Sequence, residues 1–310
     1  MRDFLLEILE FLITFISCFL SKIFIKSQFF YGKKMEYILK VSCDDEKGLI
    51  LRISEIVVKN GLNYLSTNEF VDHENHRFYM RAVLDGELEV KGFVNTLLAF
   101  LPRSAQVFCE EVRRKNIVVM ATKENHCLGD ILIRENSGDL NANVLAVVAN
   151  HEDLREFASK FDVPFICVPS DGVGREEHEK MVLNELKKFN FDYLILAKYM
   201  RILSSDFVLN YEEKIINIHH SFLPAFIGAN PYKQAYERGV KIIGATAHFV
   251  TECLDEGPII TQDVVLVNHE MDWQDMRRAG RNIEKVVLTR ALDLVFDERV
   301  FVYKNKTVIF

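Results

Sequence analysis

The segment INIHHSFLPAFIGANPY, residues 216–232, carries two adjacent histidines and an asparagine at the end of an apolar run. If the run IINIHH forms a β-strand, Asn217 and His219 project from one face, because side chains two positions apart in a strand point the same way. The same rule places His220 on the opposite face. Asparagine supplies a neutral hydrogen-bond donor and histidine a titratable one, and both suit a developing oxyanion. Hydrogen bonds that cap the following loop are an alternative use of these side chains.

A carboxylate follows in the segment LDEGPIITQD, where Asp255 precedes Gly257 and Pro258. Taken alone, this pattern indicates a solvated turn. Beside a histidine, however, an aspartate can hold the imidazole charged and can accept a proton from water or from an amine. Asparagine, histidine and aspartate together predict chemistry at an acyl carbon without a serine or cysteine nucleophile. No set of histidines, cysteines and carboxylates has the spacing of metal ligands, so we predict neither a metal nor a cofactor.

Near-continuous apolar runs in the second part of the chain predict the sheet that positions these residues. They are NIVVMATK, NVLAVVANH, PFICVPS and FDYLILAKYM, with helical stretches between them. Such runs are typical of parallel strands that are buried on both faces. We therefore predict a doubly wound, mostly parallel, Rossmann-like α/β domain over residues 114–310. In such sheets ligands bind at the carboxyl ends of the strands.

Residues 35–113 show a different order: strand, helix, two strands, helix and strand. This order predicts a ferredoxin-like unit. The segment DDEKGLILRISEIVVKNGLNY, residues 44–64, resembles the first strand-to-helix turn of an ACT domain, a small-ligand sensor joined to many metabolic enzymes. Another ferredoxin-like module is the alternative. His73 and His76 lie at a turn of this domain, where we expect them to be solvated.

The first 34 residues form an apolar extension interrupted by charges. Their uncharged stretch, residues 11–21, is too short for a membrane-spanning helix, which needs about 20 residues. One interpretation is an amphipathic helix at a membrane surface. We favour the other, a wrongly assigned start with the natural chain beginning at Met35, because the domain pattern begins there.

The overall composition indicates which binding partners and which cellular compartment to expect. The formal net charge is −7, which argues against nucleic acid, because phosphate binding requires a basic face. The six cysteines include no C-x-x-C pair. This pattern is typical of reduced thiols and predicts a cytoplasmic protein without disulfides.

The candidate site resembles that of the folate-dependent formyltransferase family over roughly residues 115–295. The resemblance lies in Asn217-x-His219, in the following SFLPAF, and in Asp255, thirty-six residues after His219. It implies that these three residues move a formyl group from N10 of formyltetrahydrofolate. LAKYMRIL (residues 196–203) resembles the family's folate-pocket strand, and GATAHFVTECLDEGPIITQ its folate-binding loop. The substrate-binding residues implied in this way are Met200, Arg201, Ile202, Leu203, His220, His248, Val250, Thr251, Leu254 and Gly257.

The formyl acceptor differs within this family. Enzymes that use glycinamide ribonucleotide have a glycine-rich phosphate loop after the first strand, whereas TKENHCLGD has no glycine before Gly129. His126 and Cys127 lie there instead and would narrow the acceptor pocket. Enzymes that formylate tRNA carry a basic C-terminal domain, but this chain ends in a short predicted hairpin. Water therefore remains as the acceptor.

An ACT-like domain ahead of a formyltransferase fold resembles the formyltetrahydrofolate deformylase family, as do ANHEDL and the string from Ile216 to Thr251. His220 stands where the transferases usually have proline. The resemblance implies hydrolysis of 10-formyltetrahydrofolate, which supplies formate for purine biosynthesis and balances the one-carbon pool. It also implies glycine and methionine as effectors and a homo-oligomer. The alternatives are formyl transfer to an amine such as glycinamide ribonucleotide, and a non-catalytic folate and amino-acid sensor.

Overall fold

The computed structural model describes residues 35–224 and 231–310. The interpretations of the N-terminal extension concern residues 1–34 and lie outside this range. The chain divides between Val112 and Arg113 into two compact units. Within the described ranges, every helix is too short or too polar to cross a lipid bilayer.

The first unit is a four-stranded antiparallel sheet with two helices, in the strand order β2-β3-β1-β4. Its elements are β1 (Glu36–Asp44), α1 (Leu49–Lys59), β2 (Asn63–Asp72), β3 (Arg77–Asp85), α2 (Val90–Phe100) and β4 (Gln106–Glu111). This is the predicted order of a ferredoxin-like fold. Helix α1 buries Leu49, Ile53, Ile56 and Val57, a spacing of three and four residues that forms one apolar stripe toward the sheet.

The second unit is built on a seven-stranded sheet in the order β11-β10-β9-β8-β5-β6-β7. Strands β5 to β9 are parallel, and β10 and β11 are antiparallel to their neighbours. The strands are β5 (Lys115–Ala121), β6 (Ala142–Ala149), β7 (Phe165–Cys167), β8 (Tyr193–Leu196), β9 (Ile215–His219), β10 (Ile242–Phe249) and β11 (Ile259–Leu266), followed by the hairpin β12 (Val300–Tyr303) and β13 (Lys306–Ile309). The helices are α3 (His126–Ser137), α4 (Arg155–Ser159), α5 (Arg175–Leu186), α6 (Ser205–Leu209), α7 (Pro231–Arg238) and α8 (Trp273–Phe296). The predicted doubly wound, mostly parallel sheet is confirmed.

Alternate residues of the central strands enter two separate cores. Val119 of β5 packs in one core with Val287 of α8, and Met120 packs in the other with Val182 of α5. Burial on both faces explains the continuous apolar runs of the sequence. The chain runs outward from β5 through β6 to β7 and then returns to β8 on the other side. This reversal opens a crevice at the carboxyl ends of β5 and β8, where ligands of such sheets bind.

The prediction that LAKYMRIL continues as a strand is wrong. Strand β8 ends at Leu196, and Lys198 has a φ of 64°. A left-handed conformation is uncommon for a residue with a side chain and turns the chain away from the strand direction. The segment from Met200 to Leu203 therefore crosses the crevice as irregular backbone before α6 begins.

Candidate active site

A cavity of about 320 Å³ lies beyond the carboxyl ends of β8 and β9, next to the loop between β10 and β11. Twelve of the thirteen predicted site residues line it: Met200, Arg201, Ile202, Leu203, Asn217, His219, His220, His248, Val250, Thr251, Leu254 and Asp255. Six further lining residues were not predicted individually: Leu196, Lys198, Tyr199, Ile218, Glu252 and Cys253. All of them except Ile218 belong to the two segments predicted to form the folate pocket. The loop and the strand ends thus enclose one site, although they are distant in sequence.

His219 and Asp255 lie side by side in this cavity. Nδ1 of His219 is 3.3 Å from Oδ1 of Asp255, and the His219 residue is 6% exposed. Burial alone would raise the pKa of the Asp255 carboxyl, but the hydrogen bond and charge of His219 hold it below its usual value. Nε2 of His219 is buried without a hydrogen-bond partner among the described residues. This arrangement leaves one imidazole nitrogen for a substrate atom.

Asn217 is oriented by His248. The two residues pair across the antiparallel strands β9 and β10, and Nδ2 of Asn217 is 3.2 Å from Nε2 of His248. Nδ1 of His248 is 2.9 Å from the carbonyl oxygen of Phe249, which can only accept a hydrogen bond. Burial lowers the pKa of His248 and keeps the ring neutral. Nε2 is therefore the acceptor, and the Asn217 amide nitrogen donates to it while its second hydrogen is left for a ligand.

Gly257, a predicted folate-binding residue, does not line the cavity. The backbone around it explains instead why this position requires glycine. A Cβ at this position would lie 1.8 Å from the carbonyl oxygen of Phe249. The backbone N–H of Phe249 also bonds to the carbonyl of Pro258, next in sequence to Gly257, at 3.0 Å. Glycine therefore lets the loop that carries Asp255 return close against β10.

The prediction that His220 faces away from His219 is wrong. Strand β9 ends at His219, and the hydroxyl of Thr246 donates to the carbonyl of Ser221, which fixes the turn that follows. The ring of His220 consequently lies 5.2 Å from the ring of His219 and 6.2 Å from that of Tyr232. Burial, together with the nearby Lys198 ammonium, lowers the pKa of His220 to about 4. His220 is therefore a neutral hydrogen-bonding group at physiological pH.

Four side chains, three of them buried and His126 partly buried, meet beside these rings, and we name them the Glu284 cluster: His126, Lys198, Tyr232 and Glu284. Oε2 of Glu284 lies 2.7 Å from Nε2 of His126 and 3.3 Å from Nζ of Lys198. The hydroxyl of Tyr232 donates to Oε1. Only His126 was noted in the sequence. Glu284 is separated from it by 158 residues and carries no local signal of its position.

His126, Cys127 and Glu284 offer ligand atoms that lie within 4.8 Å of one another. The chemistry of this group does not favour a metal ion. Burial raises the pKa of the Cys127 thiol well above its usual value, whereas a metal ligand must be a thiolate. The Lys198 ammonium already supplies positive charge to the carboxylate. The cluster is a hydrogen-bonded ion group, and we assign it no metal.

Glu284 makes the free energy of unfolding depend on pH in the acidic range. Although burial would raise its pKa, the partners in the cluster lower it from 4.5 to about 2. Its contribution to the free energy of unfolding is thus fully present above about pH 4.5 and is lost as the pH falls toward about 2. Urea unfolding from about pH 4 to about pH 3 should show an additional loss of about 1.4 kcal/mol per pH unit in wild type relative to Glu284→Gln. Equal slopes would contradict this assignment. Glu177→Gln, at an exposed position of α5, is the control.

The sequence comparisons decide the family. A model of the formyl transferase family matches residues 115–292. The formyltetrahydrofolate deformylase of Haemophilus influenzae is 50% identical over 272 residues, which cover 88% of this chain and 98% of that protein. The chain belongs to the formyltetrahydrofolate deformylase family.

Solved structures agree with this assignment to the formyltetrahydrofolate deformylases. The crystal structure of a formyltetrahydrofolate deformylase from Pseudomonas syringae aligns with a TM-score of 0.86 and 36% identity, over 94% of this chain and 99% of that one. Glycinamide ribonucleotide transformylase 1 from Symbiobacterium toebii aligns with a TM-score of 0.61 and 29% identity, over 63% of this chain and 94% of its own. The transformylase thus shares the fold over a smaller part of this chain than the deformylase does.

Proposed function

We propose that this chain hydrolyses 10-formyltetrahydrofolate to formate and tetrahydrofolate, as a hydrolase acting on a linear amide C–N bond. The observation that carries this conclusion is the 50% identity with a deformylase over nearly that protein's whole length. The structure supports it with Asn217, His219 and Asp255 around one cavity at the carboxyl edge of the sheet. Water is the acceptor in this reaction, and the formate produced would supply purine biosynthesis and balance the one-carbon pool.

Two apolar walls of the cavity suit the flat pteridine ring of a folate. Met200 is 57% exposed, Ile202 55% and Leu254 53%, which is unusual for large apolar side chains that line a concave surface. Met200 and Ile202 belong to the irregular segment after β8, and Leu254 to the loop that carries Asp255. We propose that the pteridine lies between these walls and brings its formyl group to Asn217 and His219.

The reaction follows from the contacts of the three catalytic candidates. The amide of Asn217 and the free nitrogen of His219 donate to the formyl oxygen as the carbon becomes tetrahedral. Asp255 is ionised at neutral pH and accepts a proton from the attacking water. The carbon–N10 bond then breaks and N10 takes up that proton. The chain's own side chains thus supply the charge stabilisation and proton transfer that hydrolysis requires.

The first unit is proposed as a regulatory ACT-like domain, with glycine and methionine as effectors and with pairing of copies into a homo-oligomer. Its edge strand β2 is largely exposed and leaves backbone groups available for such pairing. A cytoplasmic location is also proposed. It is supported by the cysteines of the described residues, which are free thiols: Cys43, Cys109, Cys127, Cys167 and Cys253.

The test of the function is release of formate and tetrahydrofolate from 10-formyltetrahydrofolate, with and without glycinamide ribonucleotide. Formate release that needs no amine would establish the hydrolase. Turnover only with the ribonucleotide would make the protein a transferase. Folate binding without turnover in either condition would make it a sensor.

A further inference from the structure

The Glu284 cluster has no task in the hydrolysis described above. Glu284 is fully buried, and Lys198 is 6% exposed. Burying ions away from water is costly unless every charge has a partner, and apolar residues of similar volume would stabilise a core at least as well. Lys198 also has a left-handed backbone, a further cost for a residue with a side chain. A group of this kind beside a cavity is a candidate for function rather than stability.

The cluster is continuous with the catalytic candidates. Lys198 lines the same cavity as His219 and Asp255. The ring of His220 lies between the ring of His219, 5.2 Å away, and that of Tyr232, 6.2 Å away. His219 thus has Asp255, from the loop after β10, as one neighbour and His220 as another. The His220 ring in turn neighbours Tyr232, a member of the cluster.

The Tyr232 ring of the cluster also packs directly against helix α8. Gly280 lies one helical turn before Glu284 in α8, and a Cβ on it would lie 2.2 Å from Cζ of Tyr232. The helix therefore admits the Tyr232 ring only because position 280 has no side chain. Tyr232 contacts one oxygen of the Glu284 carboxylate and His126 the other, with the His126 side chain 11% exposed. Among the described residues, His126, Lys198 and Tyr232 thus occupy both oxygens of the fully buried Glu284 carboxylate.

We propose that the Glu284 cluster occupies the place where an amine acceptor would lie and so makes water the formyl acceptor. This inference rests on the proposed hydrolysis. An amine carries a carbon substituent that must extend beyond its attacking nitrogen, whereas water carries none. Folate occupies the side of the site formed by Met200 to Leu203 and by the Asp255 loop. The substituent of an amine would therefore meet His220 and the cluster, in which Lys198, Tyr232 and Glu284 are buried and Glu284 is held by His126 and Lys198.

Water and an amine would follow the same bond changes. In both reactions the bond between N10 and the formyl carbon breaks, and N10 gains a proton. The carbon gains the oxygen of water or the nitrogen of the amine, and the attacking group loses that proton. No oxidant or further reactant is needed, so a change of acceptor requires only space and a nucleophile.

The experiment measures how the formyl group partitions between water and glycinamide, a small primary amine. Wild type, His126→Ala, Tyr232→Ala, Tyr232→Phe and His269→Ala are incubated with 10-formyltetrahydrofolate and increasing glycinamide. Formate, N-formylglycinamide and tetrahydrofolate are quantified. His126→Ala and Tyr232→Ala open the cluster from two sides, whereas Tyr232→Phe keeps its volume. His269 is exposed in the turn after β11 and serves as the matched histidine control.

We expect the ratio of N-formylglycinamide to formate to rise by about tenfold or more in His126→Ala and Tyr232→Ala, as discrimination by fit alone is of this order. The ratio should stay at the wild-type value in Tyr232→Phe and His269→Ala. An unchanged ratio in both alanine variants would overturn the proposal. Loss of the fold, or of all turnover, in both alanine variants would also overturn it, because the cluster would then serve stability or hydrolysis itself. Absence of formate release by wild type would instead refute the proposed function on which the inference rests.

Discussion

Replacing Asp255 by asparagine is expected to lower kcat for formate release by about 100- to 10,000-fold, the range for loss of a general base. Asparagine has the same size and can still accept a hydrogen bond from Nδ1 of His219, which lies 3.3 Å from the present carboxylate. It cannot accept the proton of the attacking water. Steady-state assays of formate and tetrahydrofolate release measure the change.

Glu256→Gln is the matched control for this variant. Glu256 is the next residue in the same loop, is exposed, and does not line the cavity. It therefore reports the effect of the same change in charge without the contact to His219. Near-normal turnover of Asp255→Asn would show that another group accepts the proton. An equal loss in Glu256→Gln would show that the charge of the loop matters rather than the Asp255 carboxylate.

Asn217→Ala is expected to lower kcat by about 100- to 1,000-fold, the usual effect of removing one donor to an oxyanion. In the proposed mechanism the amide donates to the formyl oxygen most strongly when that oxygen gains charge in the transition state. KM for 10-formyltetrahydrofolate should therefore change little, because Met200 and the other apolar residues that we propose hold the pteridine remain. The measurement is kcat and KM for formate release by Asn217→Ala and wild type.

Two further variants separate this role from a structural one. His248→Asn removes the nitrogen that accepts from Asn217 but keeps the Asn217 amide, so kcat should fall less than in Asn217→Ala. Asn190→Ala replaces an exposed asparagine before β8 and should leave both constants unchanged. A rise in KM with kcat unchanged in Asn217→Ala would assign the amide to folate binding instead of transition-state stabilisation.

The strands and the relation of Asn217 to His219 were predictable because they are encoded locally. A strand that is buried on one face alternates apolar and polar residues, whereas continuous apolar runs indicate a parallel sheet covered on both faces. Ligands of such sheets bind at the carboxyl ends of the strands. Side chains at i and i+2 of a strand share a face, so Asn217 and His219 were expected together. The same rule failed for His220, because Thr246 holds the chain in a turn directly after His219.

The sequence by itself determined the fold class of both units and the residue types at the site, since periodicity and short motifs are properties of neighbouring residues. Only the tertiary structure placed Glu284, because it comes from a helix near the end of the chain and meets His126 across 158 residues. Only the structure assigned His248 to orienting Asn217, through a carbonyl and an amide on two paired strands. It also showed that Gly257 is required by the nearby backbone of Phe249. Each of these three contacts depends on which residues, distant in sequence, face one another after folding. The periodicity of side chains along the sequence contains no information about such contacts.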